Sequence, residues 1–447
     1  MFKELTFRLN HQFITIKMHP FNNIERQTAF NTLMLLCIMV YAILKYSFRL
    51  YGDIFQTIFV ISFIFLCITS PKPLISDNVF KLFIAALGAS VLSWINAKIQ
   101  LPHLARELPD IGPMFNLFYF LPIAFFLQGK SERVTLLWFA MLTGFIVSFI
   151  SHSPDFIGEL LRGANGVRIS FGVNNAQHPA IWSGVAIIVL IAMIIKEFTT
   201  KSLQRPLYWI AYIGLLLFFT FVLIATQTRQ VLLGLTLSIS LGSLWYVYIK
   251  RIKASKKRVV FSILLLLIVL FSIGHFTSVE KRIESEQNTL SLVLSGQFDR
   301  LPNDSTGVRV SLWNAALDWI QERPILGSDH GVNKELILTS DKTSPFIKEH
   351  IHHLHNSFID LTVFYGLLGV TIISLTLILV FRRCMASDKG QQFNQIQYAC
   401  CLFFVYWVTV NMFESYLFST SGLLVHNIML GSFFTFMIHN NGESSDR

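Results

Sequence analysis

Where a long polar stretch gives way to an apolar one, the chain reads His353-Leu354-His355-Asn356, and after nine residues Gly366-Leu367-Leu368-Gly369. An imidazole titrates near ~6.5, so at neutral pH it can accept a proton from a hydroxyl. His355 is therefore a candidate general base at a lipid–water boundary, with His353 and Asn356 as secondary candidates. Blander roles compete. His350, His352, His353 and His355 form a run that also suits a solvated patch, a weak metal site, or capping and packing. A zinc site is not expected, because the spacing fits no closed site and no Cys or suitably placed carboxylate completes one.

Three arginines accompany the histidine. Arg229 ends the short turn Ala225-Thr226-Gln227-Thr228-Arg229-Gln230 between two apolar runs. Arg168 opens Arg168-Ile169-Ser170-Phe171-Gly172-Val173-Asn174, and Arg309 lies on the flank of a helical pattern in the long loop. Guanidinium groups stay charged in a low dielectric and grip phosphate bidentately. Three of them suit the charge of a lipid diphosphate. Each taken singly also suits snorkelling to headgroups or pairing with a loop carboxylate. Arg229 resists that reading best, since its turn is too short to need a charge for solubility.

Other chemistries lack their residues. There is no Asp-x-Asp pair for a metal–nucleotide site, no Gly-x-x-x-x-Gly-Lys loop and no Gly-x-Ser-x-Gly elbow. Ionisable residues inside the apolar runs, such as Asp360 and His426, are few, against the pattern of a proton-coupled transporter.

The elements that must position these residues are membrane helices. Hydrophobic residues make up 53% of the chain and charged residues 14%, well below a soluble domain's roughly 25%. About twelve apolar runs are each long enough to cross a bilayer. They fall near 30–48, 53–70, 79–97, 112–128, 134–152, 179–195, 207–226, 230–249, 259–276, 356–381, 397–414 and 421–438. Continuous runs of this length predict an all-α bundle, not a β-barrel.

Lys and Arg concentrate in alternate loops, which places both termini, including a basic tail over the first 26 residues, on the cytoplasmic side. The net charge of +10 reflects this excess and needs no nucleic-acid partner. None of the five cysteines falls in an outer loop, so no disulfide is expected there.

Three regions follow: 1–276, about nine spans; 277–355, an outer loop; and 356–447, three further spans. In the loop, Val308, Leu312, Ala315, Ala316 and Trp319 share one helical face, with Ser311, Asn314, Asp318 and Gln321 opposite. Ser305 or Thr306 is the expected cap and Pro324 the stop. Residues 283–304 read as polar and mobile.

With these residues in view, the chain resembles the O-antigen ligases of Gram-negative lipopolysaccharide assembly, within a superfamily that includes O-antigen polymerases and protein O-oligosaccharyltransferases. The resemblance runs from about 160 to 380. It rests on His355-Asn356 with Gly366 and Gly369, on the turn ending in Arg229, on the segment from Arg168, and less strictly on Gly307-Val308-Arg309.

It implies a multi-spanning, metal-independent, inverting glycosyltransferase of the bacterial inner membrane, with a periplasmic active site and no cofactor. The glycan would pass from undecaprenyl diphosphate to the lipid A core. His355 would act as base and Arg229, Arg168 and Arg309 would hold the diphosphate. A polymerase, an O-oligosaccharyltransferase and, from another class, a lipid-linked glycan exporter are the alternatives. The glycan, the core sugar, the oligomeric state and the participation of Arg162, His178 or Lys98 stay open.

Overall fold

A computed structural model describes residues 24–69, 77–173, 175–199, 206–250, 287, 289–387 and 390–438. All regular structure among them is helical. The chain is an all-α, multi-spanning membrane protein. Among the described residues, eight helices are long and apolar enough to cross a bilayer.

In chain order the first are α1 (Ile24–Leu44), α2 (Arg49–Thr69) and α3 (Asn78–Gln100). Short α4 (Gly112–Asn116) and α5 (Phe120–Leu127) precede α6 (Ser131–His152). Then come α7 (Phe156–Ala164), α8 (Gln177–Thr199), α9 (Pro206–Ala225) and α10 (Arg229–Leu237). A π-helical turn, Ser238–Gly242, joins α10 to α11 (Ser243–Ile249). The run at 259–276 and the loop's first residues lie outside the described residues.

The single run expected at 112–128 is two short helices. Asn427 explains how the bundle tolerates the break: its side chain accepts from the Phe120 amide (2.9 Å) and donates to the Asn116 carbonyl (2.9 Å). Backbone groups freed in an apolar interior must find such partners.

The long loop carries α12 (Ser305–Glu322), α13 (Asn333–Thr339) and α14 (Pro345–His350). Within its polar approach a 3-10 turn forms at Phe298–Arg300. The cap of α12 is Asp304, whose carboxylate accepts from Thr306 and Gly307, and not Ser305 or Thr306. A carboxylate there also complements the helix dipole. Val308, Leu312, Ala315 and Ala316 are buried as their spacing predicts. Ser311, assigned to the polar face, is buried too, because α12 packs on the loop helix α13 as well as on a neighbouring helix of the bundle.

That neighbour is α15 (Ser357–Ala386), followed by α16 (Gly390–Asn411) and α17 (Thr420–Ile438). Gly366 interrupts α15 with φ +63°, a conformation that only glycine adopts freely. The loop passes through the gap: Leu367 and Leu368 donate to the carbonyls of Pro324 and Ile325, while Ser328 and Asp329 donate back to Val363 and Phe364. A Cβ on Gly366 would sit 2.2 Å from the Ile325 carbonyl oxygen. The glycine after the histidines therefore docks the loop to the bundle.

Candidate active site

Two turns from distant segments build the cationic wall. In the first, Thr226 and Thr228 are buried and Gln227 takes φ +52°, so the chain reverses within three residues and α10 begins at Arg229. The second docks onto it. The Ile169 amide donates to the Ala225 carbonyl (3.1 Å), and Arg168 Nε donates to the Thr226 carbonyl (3.0 Å). Phe171 (φ +53°) is fully buried against Phe149, and a Cβ on Gly172 would lie 2.0 Å from the His152 carbonyl oxygen. The Ile-Ser-Phe-Gly residues thus anchor the segment, and Arg168 is the part left at the surface.

Arg309 completes the wall from α12. Its Nη2 donates to Gln230 Oε1 (2.9 Å) and its Nε to the Phe413 carbonyl (3.2 Å). Burial lowers its pKa, opposed by the charge of Glu414. Arg168, Arg229 and Arg309 line one cavity of about 600 Å³, together with Gln177, Gln227, Gln230, Trp313, Phe413 and the Asp304–Thr306 cap. A separate cavity of about 500 Å³ is walled by apolar side chains such as Phe63, Phe83 and Phe118 and by none of these arginines.

The histidines are not among the residues lining the arginine cavity. Trp313 Nε1 donates to the Leu354 carbonyl (2.9 Å), which ties the cavity wall to the histidine strand. Next to Phe413, Glu414 takes both rings: His355 Nδ1 lies 2.9 Å from Oε2 and His353 Nε2 lies 2.9 Å from Oε1. His355 reaches it from a left-handed backbone (φ +51°). Asn356 does not join them. It caps α15, accepting from Phe358 and Ile359. Ser357 fastens the loop that carries Glu414, donating to Asn411 Oδ1 (2.6 Å) and to the Glu414 carbonyl (3.0 Å).

The electrostatics separate the two rings. Burial opposes the charge on Glu414, but hydrogen bonds from His353 and His355 outweigh it and hold the carboxyl well below its usual range. Burial also disfavours protonation of His353, yet the Glu414 bond and charge win and raise it. For His355, burial outweighs the help from Glu414, with His353 and Arg309 adding to the fall, so its pKa is lowered. An anionic carboxylate only accepts, so the His355 proton belongs on Nδ1 and the lone pair on Nε2. That ring is neutral and directed, as a general base must be.

The family model described as O-antigen ligase matches residues 214–374. That segment, about a third of the chain, is similar to O-antigen ligases. A search of curated proteins finds no match. The matched O-antigen ligase segment contains Arg229, Arg309, His353, His355, Asn356 and both glycines, whereas Arg168 and Glu414 fall outside it.

Of the positions left open, His178 lies near the histidine–glutamate cluster: its Nδ1 is 2.7 Å from Ser421 Oγ, and it feels the charges of Glu414 and His353. Arg162 is paired with Glu159 (2.7 Å), and Lys98 stands over the Trp94 ring (6.0 Å). Glu414 corrects the expectation that no carboxylate is placed to join the histidines. Its signal was present: it is the one acidic residue between Asp388 and Glu443. Gln177, Gln230, Trp313 and Phe413 carried no such mark.

Proposed function

We propose that this protein is an inverting glycosyltransferase that moves a glycan from undecaprenyl diphosphate to the lipid A-core oligosaccharide, at the periplasmic face of the inner membrane. The observation that carries the reading is the convergence of three arginines from separate segments on one cavity whose lining Trp313 is hydrogen-bonded to Leu354, the neighbour of the Glu-oriented His355. The arginines, and the N-terminus of α10 that begins at Arg229, supply positive potential for a diphosphate.

His355 Nε2 takes the proton of the acceptor hydroxyl as its oxygen attacks the anomeric carbon. The bond from that carbon to the diphosphate oxygen breaks, and the diphosphate leaves with the electron pair. Its developing charge is met by Arg168, Arg229 and Arg309, the kind of fixed stabilisation a metal ion supplies elsewhere. One displacement inverts the anomeric centre. Base catalysis contributes about 10²–10⁴-fold and positioning of two lipids the larger share.

The test is reconstitution with carrier-linked glycan and rough lipopolysaccharide in chelator, followed by electrophoresis for glycan-bearing lipopolysaccharide. Ligation by the unaltered protein and none by His355→Ala is the expected result. Longer carrier-linked glycan with unmodified core would make the protein a polymerase instead.

A further inference from the structure

With Glu414 beside them, the histidines form a donor set that the sequence did not reveal. His Nδ1, His Nε2 and a carboxylate oxygen all lie within 4.8 Å of one another. Two imidazoles and a carboxylate suit borderline divalent ions such as Zn²⁺. Zinc holds such ligands at about 2.0–2.2 Å, which spaces neighbouring donors by about 3.3 Å in a tetrahedron. The carboxylate-to-imidazole separations of 2.9 Å would widen by a few tenths of an ångström, and the two ring nitrogens, which now meet different oxygens of Glu414, would close on a common ion from within 4.8 Å. His353 is 44% exposed, which gives an ion a way in from solvent.

We propose that His353, His355 and Glu414 form an inhibitory site for a zinc-class divalent cation. This rests on the reading of His355 as the base. A metal takes a ring nitrogen only through its lone pair. Binding at His355 Nδ1 therefore moves that proton to Nε2 with no net loss, while the proton that His353 Nε2 shares with Glu414 is displaced, to Nδ1 of that ring or to solvent, as the nitrogen binds the ion. His355 then presents an N–H where the acceptor's proton should go. The base is switched off by a change of tautomer. The charge of Arg309 acts on both rings and opposes a dication, while that of Asp360 acts on His353 and favours it, so a weaker grip than that of a structural zinc site is expected.

The experiment titrates Zn²⁺ alone into the full chain, chelator-treated in detergent and free of substrates, by calorimetry. One equivalent should bind, and His353→Ala and Glu414→Gln should each weaken it roughly tenfold or more. Since Glu414→Gln can disturb folding, Cu²⁺ resonance on the unaltered protein provides an independent reading: coupling to two imidazole nitrogens is expected. Ligation should fall over the same zinc range and return with chelator. No saturable binding, affinity unchanged from the unaltered protein in both variants, or no imidazole coupling overturns the site. Zinc bound at the triad with ligation untouched overturns the switch and the base assignment together. Absence of ligation by metal-free, unaltered protein sinks the glycosyltransferase reading and leaves the cation site standing.

Discussion

Glu414 is 8% exposed, accepts from two imidazoles and from the Ser415 amide, and lies beside a residue that lines the arginine cavity. Its work is to fix which nitrogen of His355 bears the proton. Glu414→Gln keeps the shape but offers an amide that need not hold that tautomer. Ligation should drop about 10²-fold or more, most of what base catalysis supplies, with the melting temperature as the check on folding.

The pH profile follows from the same residue. His355 must be neutral to act, and burial together with the charges of His353 and Arg309 lowers its pKa against the pull of Glu414. Activity should therefore hold through neutrality and fall on the acid side, with an inflection below about 6.5. A midpoint above 7 in metal-free buffer would contradict the assignment. The stability contributed by Glu414 has the matching sign: its depressed pKa contributes above the ordinary carboxyl value of 4.5 and is lost as pH falls through the lowered one.

At the scale of elements, the junction between loop and bundle decides whether the site exists. α12 brings Arg309, and the first turn of α15 fixes the strand holding both histidines. The two are locked by the bonds that cross at Gly366. Gly366→Ala would combine a left-handed backbone with a Cβ thrust into Ile325. Backbone strain alone costs about 1–3 kcal/mol, and the contact adds to it. The expected outcome is faster proteolysis between residues 323 and 331 and lost ligation, with the spans still inserted. Unchanged protection would show that the glycine does not dock the loop.

On the scale of the molecule, the site is larger than the matched O-antigen ligase domain. Arg168 comes from before residue 214 and Glu414 from after residue 374. Arg168→Ala should weaken use of the carrier-linked donor by roughly ten- to a hundred-fold, the equivalent of about 1.5–3 kcal/mol for a charged hydrogen bond. Measured as a rise in donor KM with acceptor KM unchanged, this would place the residue on the diphosphate. A shift confined to the acceptor would remove it from that role.

The sequence by itself determined the all-α membrane class, because uninterrupted apolar runs leave few other ways to satisfy backbone groups in lipid. It also singled out Arg168, Arg229, Arg309 and His355, since three guanidiniums suit the charge of a diphosphate and an imidazole can take a proton at neutral pH. It could not find the break at residues 117–119, whose partner Asn427 lies some three hundred residues away. Nor could it show that Asn356 caps a helix or that Glu414 meets the histidines. A hydrogen bond between groups about sixty residues apart leaves no periodic trace in a chain. Only the packing of α15 against α16 and the loop beyond it decides which carboxylate an imidazole finds.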